Sequence, residues 1–135
     1  MAHKHIVYMM LADLAGQLRD AVALPRYSSL VEELAIRDSH QTYLAVAHRS
    51  WGIAHRLNKE YAEADARLAQ ALALFDELQA RWQIGRTLVE IAELAMAQSD
   101  KPGARDHYTR ALTEFDSIKA MPDAERTRAA LKAFA

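Results

Sequence analysis

Residues 40 positions apart repeat one another along the second half of this chain. Ala64, Ala71, Leu72, Phe75 and Asp76 recur as Ala104, Ala111, Leu112, Phe115 and Asp116, and Gly52 is echoed by Ala92. A short segment that cannot bury its apolar face alone folds by stacking on its own copies. A stacked array of helices is therefore expected, and arrays of this kind more often recognise other macromolecules than catalyse.

Helices are expected rather than strands because alanine, leucine, glutamate and arginine abound while only four glycines and three prolines interrupt the chain. Breakers and caps place helices over residues 5–22, 25–37, 41–57, 61–78 and 82–97. A sixth follows the SDKPG break at 99–103 and ends near 119, and a seventh covers 122–134. Connections of only a few residues imply antiparallel neighbours. In the fourth helix, Tyr61, Ala64, Leu68, Ala71, Leu72, Phe75 and Leu78 follow the three-and-four spacing of one buried stripe. The sixth repeats it with Ala104, Tyr108, Ala111, Leu112, Phe115 and Ile118. Small residues at Gly52 and Ala92 let neighbouring helices approach.

At 135 residues the chain has the length of one domain. Without cysteine, it has no disulfide frame, thiolate zinc site or cysteine nucleophile. Seventeen basic and eighteen acidic side chains nearly cancel and are interspersed. That pattern argues against a general electrostatic grip on nucleic acid or an anionic membrane. The opening apolar run is broken by Asp13 with no cleavage pattern after it, and no stretch approaches the roughly 20 apolar residues that span a bilayer. A cytoplasmic protein is expected.

The segment AVAHRSWGIAHRLNKEYAEADARLAQALALF, residues 45–75, resembles a tetratricopeptide repeat. Gly52 takes the small first-helix position, Tyr61 follows the corner, and Ala64 and Ala71 are the small second-helix residues. Residues 85–118 resemble a second repeat, with Ala92, Ala104, Tyr108 and Ala111 in matching roles and Lys101 where Tyr61 stood. Residues 1–40 look like a degenerate repeat carrying Tyr8, Leu11 and Ala12 in first-helix roles, and 122–135 like a capping helix. The 40-residue spacing is similar to repeats of large bacterial signalling proteins such as LuxR-type transcription activators. The resemblance implies an all-α fold of antiparallel helix pairs stacked as a short right-handed superhelix forming a single domain. It also implies a non-enzymatic scaffold in signalling or assembly that binds a protein or peptide on its concave face, without a cofactor.

By register, the resemblance implies that this face presents Ile6, Met9, Met10 and Asp13 from the first helix. Val46, Arg49, Ser50, Ile53 and Arg56 would come from the third, and Arg86, Val89, Glu90 and Glu93 from the fifth. Ordinary solvated faces with inter-helix ion pairs explain the same residues. The clamp that some family members use for chaperone tails does not fit, because Ile53 stands where an asparagine is needed and Glu90 where a cation is needed.

Other chemistry is poorly supported by the residues. His48 and His55 flank Trp51 but lie roughly 10 Å apart along a helix axis, too far for one zinc ion. They read as partly buried packing residues. His3 and His5 offer at most weak chelation near the start, and no metal site is expected. Glu90 and Glu93 lie one turn apart without a nucleophile or phosphate loop to work with. An all-helical enzyme or small-molecule sensor is a third class, which would require an enclosed polar pocket.

Six consecutive apolar residues, Ile6 to Leu11, wrap a helix completely and cannot all face one core. A preceding repeat of a longer protein, a ligand groove containing Met9 and Met10, or a homodimer contact through Ile6, Val7, Tyr8 and Met10 would cover them.

Overall fold

The computed structural model describes residues 2–134, with side chains described from Ile6 onward. The expectations placed on His3 and His5 fall outside the described side chains. The described residues form an all-helical fold of seven helices. These are α1 (Ala2–Gln17), α2 (Ala23–Arg37), α3 (Gln41–Leu57), α4 (Tyr61–Glu77), α5 (Arg81–Ala97), α6 (Lys101–Ser117) and α7 (Met121–Lys132). They group into two compact units, Met1–Leu74 and Phe75–Ala135. In the first unit, α1 packs on α2 and α3, and α2 packs on α3. In the second, α6 packs between α5 and α7.

One turn ends six of these helices. Arg19, Ser39, Lys59, Gln79, Ser99 and Lys119, spaced 20 residues apart, all adopt the left-handed conformation at φ 52–61°. At each, the amide of that residue and the next reach back to carbonyls of the last helical turn. Lys59 N–H donates to Arg56 O at 3.0 Å and Glu60 N–H to His55 O at 2.8 Å. Ser99 and Asp100 repeat this onto Met96 and Ala95 at 3.0 and 2.8 Å. This is the Schellman closure, which satisfies carbonyls that a helix end leaves open. Its left-handed position normally favours glycine, yet here every occupant carries a Cβ. Lys59→Gly is expected to relieve this strain and, after the added entropy of the unfolded chain, to stabilise by about 0.5–1 kcal/mol. A thermal melt showing no rise in Tm would count against that account.

The turn frame corrects the expected end of the first helix. It stops at Gln17 rather than near 22, because Arg19 closes the turn and Asp20 starts the next segment. The Asp20 carboxylate accepts from the amides of Val22 and Ala23 at 3.2 and 3.0 Å. Pro25 lies in the first turn of α2, where its missing N–H costs nothing. The SDKPG segment does not break the chain up to Gly103. Asp100 caps α6 by accepting from Gly103 N at 3.0 Å, so Lys101, Pro102 and Gly103 form its first turn.

Small residues set the close approaches. A Cβ built on Gly52 would stand 2.5 Å from Cγ of Leu68, and one on Gly85 would stand 2.6 Å from Cε1 of Phe115. Ala64, Ala71, Phe75, Ala104, Ala111 and Phe115 are buried, as the repeat predicts. Leu78 and Ile118 are exceptions to their expected stripes and are exposed. Both follow the last helical residue, where the chain turns away from the packed face.

In the first unit, Ala15, Leu24, Ile53 and Ala54 form one core cluster, bordered by Tyr27, Trp51 and Leu57. Ala12, Val31 and Ala47 form another, against Tyr8, Tyr27 and Tyr43. In the second, Ala92, Ala95, Ala104 and Tyr108 pack with Val89, Ala130, Leu131 and Phe134. Arg105 holds the end of this cluster by donating from Nη2 to the carbonyl of Phe134 at 3.0 Å, with its guanidinium 5.7 Å from that ring.

Candidate functional site

Packing of α1 on α3 decides how much of the expected binding face of the first unit is accessible. Asp13 of α1 lies 3.6 Å from Nη2 of Arg49, whose side chain is only 3% exposed. Ser50 and Ile53 are also buried, and Arg56 is 8% exposed. Ile53 is sealed in the cluster with Ala15 and Leu24, and its Cδ1 would sit 3.1 Å from a Cβ on Gly16. Arg49, Ser50, Ile53 and Arg56 are thus interior residues in this structure. Val46, expected beside them, is buried too. The small residues that bring α1 and α3 together leave no room for these side chains at a surface.

The accessible part of the expected face lies on α1. Met9 is half-buried, and Met10 is 62% exposed. Of the residues considered for self-association, Ile6, Val7 and Met10 are exposed. Tyr8 instead turns inward against Ala12, Val31 and Ala47. Leu14 and Leu18, neither expected in this role, extend the exposed run, with Leu18 68% exposed. Ile6, Met10, Leu14 and Leu18 recur every fourth residue and share one side of the helix. That spacing was the signal available for Leu14 and Leu18, hidden by reading the six-residue apolar run alone.

In the second unit, α5 carries Arg86, Val89, Glu90 and Glu93, all half-buried. The Arg86 guanidinium lies 4.8 Å from the Trp82 ring centroid, and Trp82 Nε1 donates to Asp123 Oδ2 of α7 at 2.9 Å. Val89 packs against the Ala92 and Tyr108 cluster. Asp13, Arg49, Arg56, Arg86, Glu90 and Glu93 all interact within the chain, so none of these charges is held in reserve for a ligand.

A polar depression of about 530 Å³ lies open between α3 and α4, lined by His48, His55, Glu63, Ala66, Arg67 and Gln70. His48 and His55 reach it one above the other, as their seven-residue spacing dictates. His55 Nδ1 lies 2.9 Å from Glu60 Oε1, and its ring stacks on Trp51 with centroids 5.6 Å apart. The hydrogen bond from His55, followed by that from Asn58, holds the Glu60 carboxyl below the usual carboxylate range. On the opposite wall, Arg67 pairs with Glu32 of α2, lies 3.0 Å from His48 Nδ1, and stands 5.6 Å from the Trp51 ring. Burial first, and then the Arg67 charge, push the His48 imidazole below its ordinary pKa, with Glu32 opposing. The reading of both histidines as packing residues did not anticipate this link across three helices. Glu32 and Arg67 are 35 residues apart, and nothing in their local spacing pairs them.

Among the described residues, no group of three or more His, Asp or Glu side chains is placed to hold a metal ion. No described helix is long and apolar enough to cross a membrane. A scan of protein-family models finds none that matches this chain, and a search of curated proteins also finds no match.

Proposed function

We propose that this chain is a non-enzymatic, tetratricopeptide-like scaffold that recognises a protein or peptide and acts in signalling or assembly in the cytoplasm. The observation that carries this reading is the recurrence of one helix-and-turn module through the chain, with the left-handed residue returning every 20 positions. Such modules build a surface by repetition, and recognition is spread over side chains from several first helices. Met9 and Met10 on α1, and Arg86, Val89, Glu90 and Glu93 on α5, are the expected contact residues that retain accessible surface. Arg49, Ser50, Ile53 and Arg56 support these helices from beneath.

The test compares capture from a native lysate by the wild-type chain with capture by Met10→Glu and, separately, by Val89→Ser, with bound proteins identified by mass spectrometry. A discrete partner retained by wild type and lost from either variant, with helicity unchanged, is the expected result. Identical capture by all three would sink this surface as the binding site.

A second reading is favoured by the exposed run on α1. Val7, Met10, Leu14 and Leu18 offer a continuous apolar strip of the sort that mediates helix pairing between copies. Sedimentation over a concentration series should then show a dimer for wild type and a monomer for Leu14→Glu/Leu18→Glu. A wild-type monomer at high micromolar concentration removes self-association.

A further inference from the structure

Arg67 stands between two acceptors from different helices. Its Nη1 donates to the Glu32 carboxylate of α2 and lies 3.0 Å from Nδ1 of His48 on α3. A guanidinium has only hydrogens to give, so a nitrogen this close to it must offer a lone pair. His48 is therefore neutral in this arrangement, with its hydrogen on Nε2. The contact is partly shielded from water, which makes the charge state of the ring matter more than it would on an open surface.

The charged groups around the imidazole come from each helix that meets it. Glu32 faces it from α2, and Arg67 and Glu63 line the depression from α4. His55 lies seven residues along α3 and is occupied by Glu60. The charges linking α1 to α3 are those of Asp13 and Arg49, on the residue next to His48.

We infer that His48 is a proton-sensitive latch joining α2, α3 and α4, which releases Arg67 from α3 when the imidazole is protonated. One proton from solvent binds at Nδ1. The lone pair that accepted from Arg67 is consumed, and imidazolium and guanidinium then face each other at 3.0 Å. Glu32, the carboxylate already paired with Arg67, becomes the shared counter-ion of two cations. The depression between α3 and α4 thereby changes from a neutral seam to a cationic one, and Arg67 moves away from the Trp51 ring that it now overlies. The lowered affinity of His48 for a proton in the fold agrees with this geometry.

Trp51 provides a local reporter, because the chain has only one other tryptophan, Trp82. In a Trp82→Phe/His55→Gln background, which also removes the imidazole stacked on Trp51, the fluorescence of Trp51 should change in a single one-proton step with a midpoint below 6.5. Adding His48→Gln, whose amide oxygen accepts from Arg67 without titrating, should abolish the step. Ring resonances of His48 in the unaltered chain should give the same midpoint by NMR, independently of any substitution. The proposal is overturned if the step survives His48→Gln, if Trp51 shows no step between pH 7.5 and 4.5, or if the His48 ring titrates at or above 6.5. A matching stability effect follows from linkage: the unfolded chain binds the proton more readily, so folding is weakened as pH falls through 6.5. Acidification should therefore lower Tm more for wild type than for His48→Gln.

Discussion

Phe115→Ala is expected to lower the unfolding free energy by about 3–5 kcal/mol and Tm by roughly 10–20 °C. The ring is fully buried in the second unit, and it lies over Gly85 of α5. No side chain at position 85 can move into the space that alanine would leave, so the loss belongs near the upper end of that range. The same geometry gives Gly85→Ala opposite signs in two backgrounds. In wild type its Cβ would collide with the Phe115 ring at 2.6 Å. With Phe115 already truncated, the methyl fills space and gains up to about 1 kcal/mol of helix propensity. Chemical denaturation of the two single variants and the double variant checks this, and a Gly85→Ala that destabilises both backgrounds equally would show that the ring is not what excludes a side chain there.

The second large effect is expected in the first unit. Leu68 is buried on α4 with Cγ and Cδ2 against the bare backbone of Gly52 on α3. Leu68→Ala should cost about 2–5 kcal/mol. Gly52→Ala forces Leu68 to shift and should be destabilising by about 1–2 kcal/mol after its gain in helix propensity. Because both substitutions act on one contact, the double variant should be more stable than the sum of the two losses predicts. Strict additivity, measured from urea midpoints, would mean that helix packing here does not depend on this approach.

The helices were legible because their signals are local. The stripe through Ala64, Leu68, Ala71 and Phe75 and its copy 40 residues later mark packed faces by periodicity alone. The Arg19 turn was harder to see, because an arginine in the left-handed region carries no glycine signal. Only the 20-residue frame shared with Ser39 and Lys59 reveals it. Accessibility was the least legible property. Arg49 and Arg56 look like surface residues by chemical type, and register gives their direction without the depth at which a neighbouring helix covers them. The Glu32, His48 and Arg67 link shows the same limit for polar groups, since its members come from three helices and meet only through tertiary packing.

The left-handed residues at 19, 39, 59, 79, 99 and 119 also define the chain's unit of length change. Each 20-residue module reverses the direction of travel, so a duplication or deletion of one module would invert every helix that follows. A change of two modules restores direction and joins like to like at identical turns. Parity thus makes 40 residues the smallest step by which a chain of this kind can grow or shrink without rebuilding its faces, although a single helix and turn is the smaller structural module.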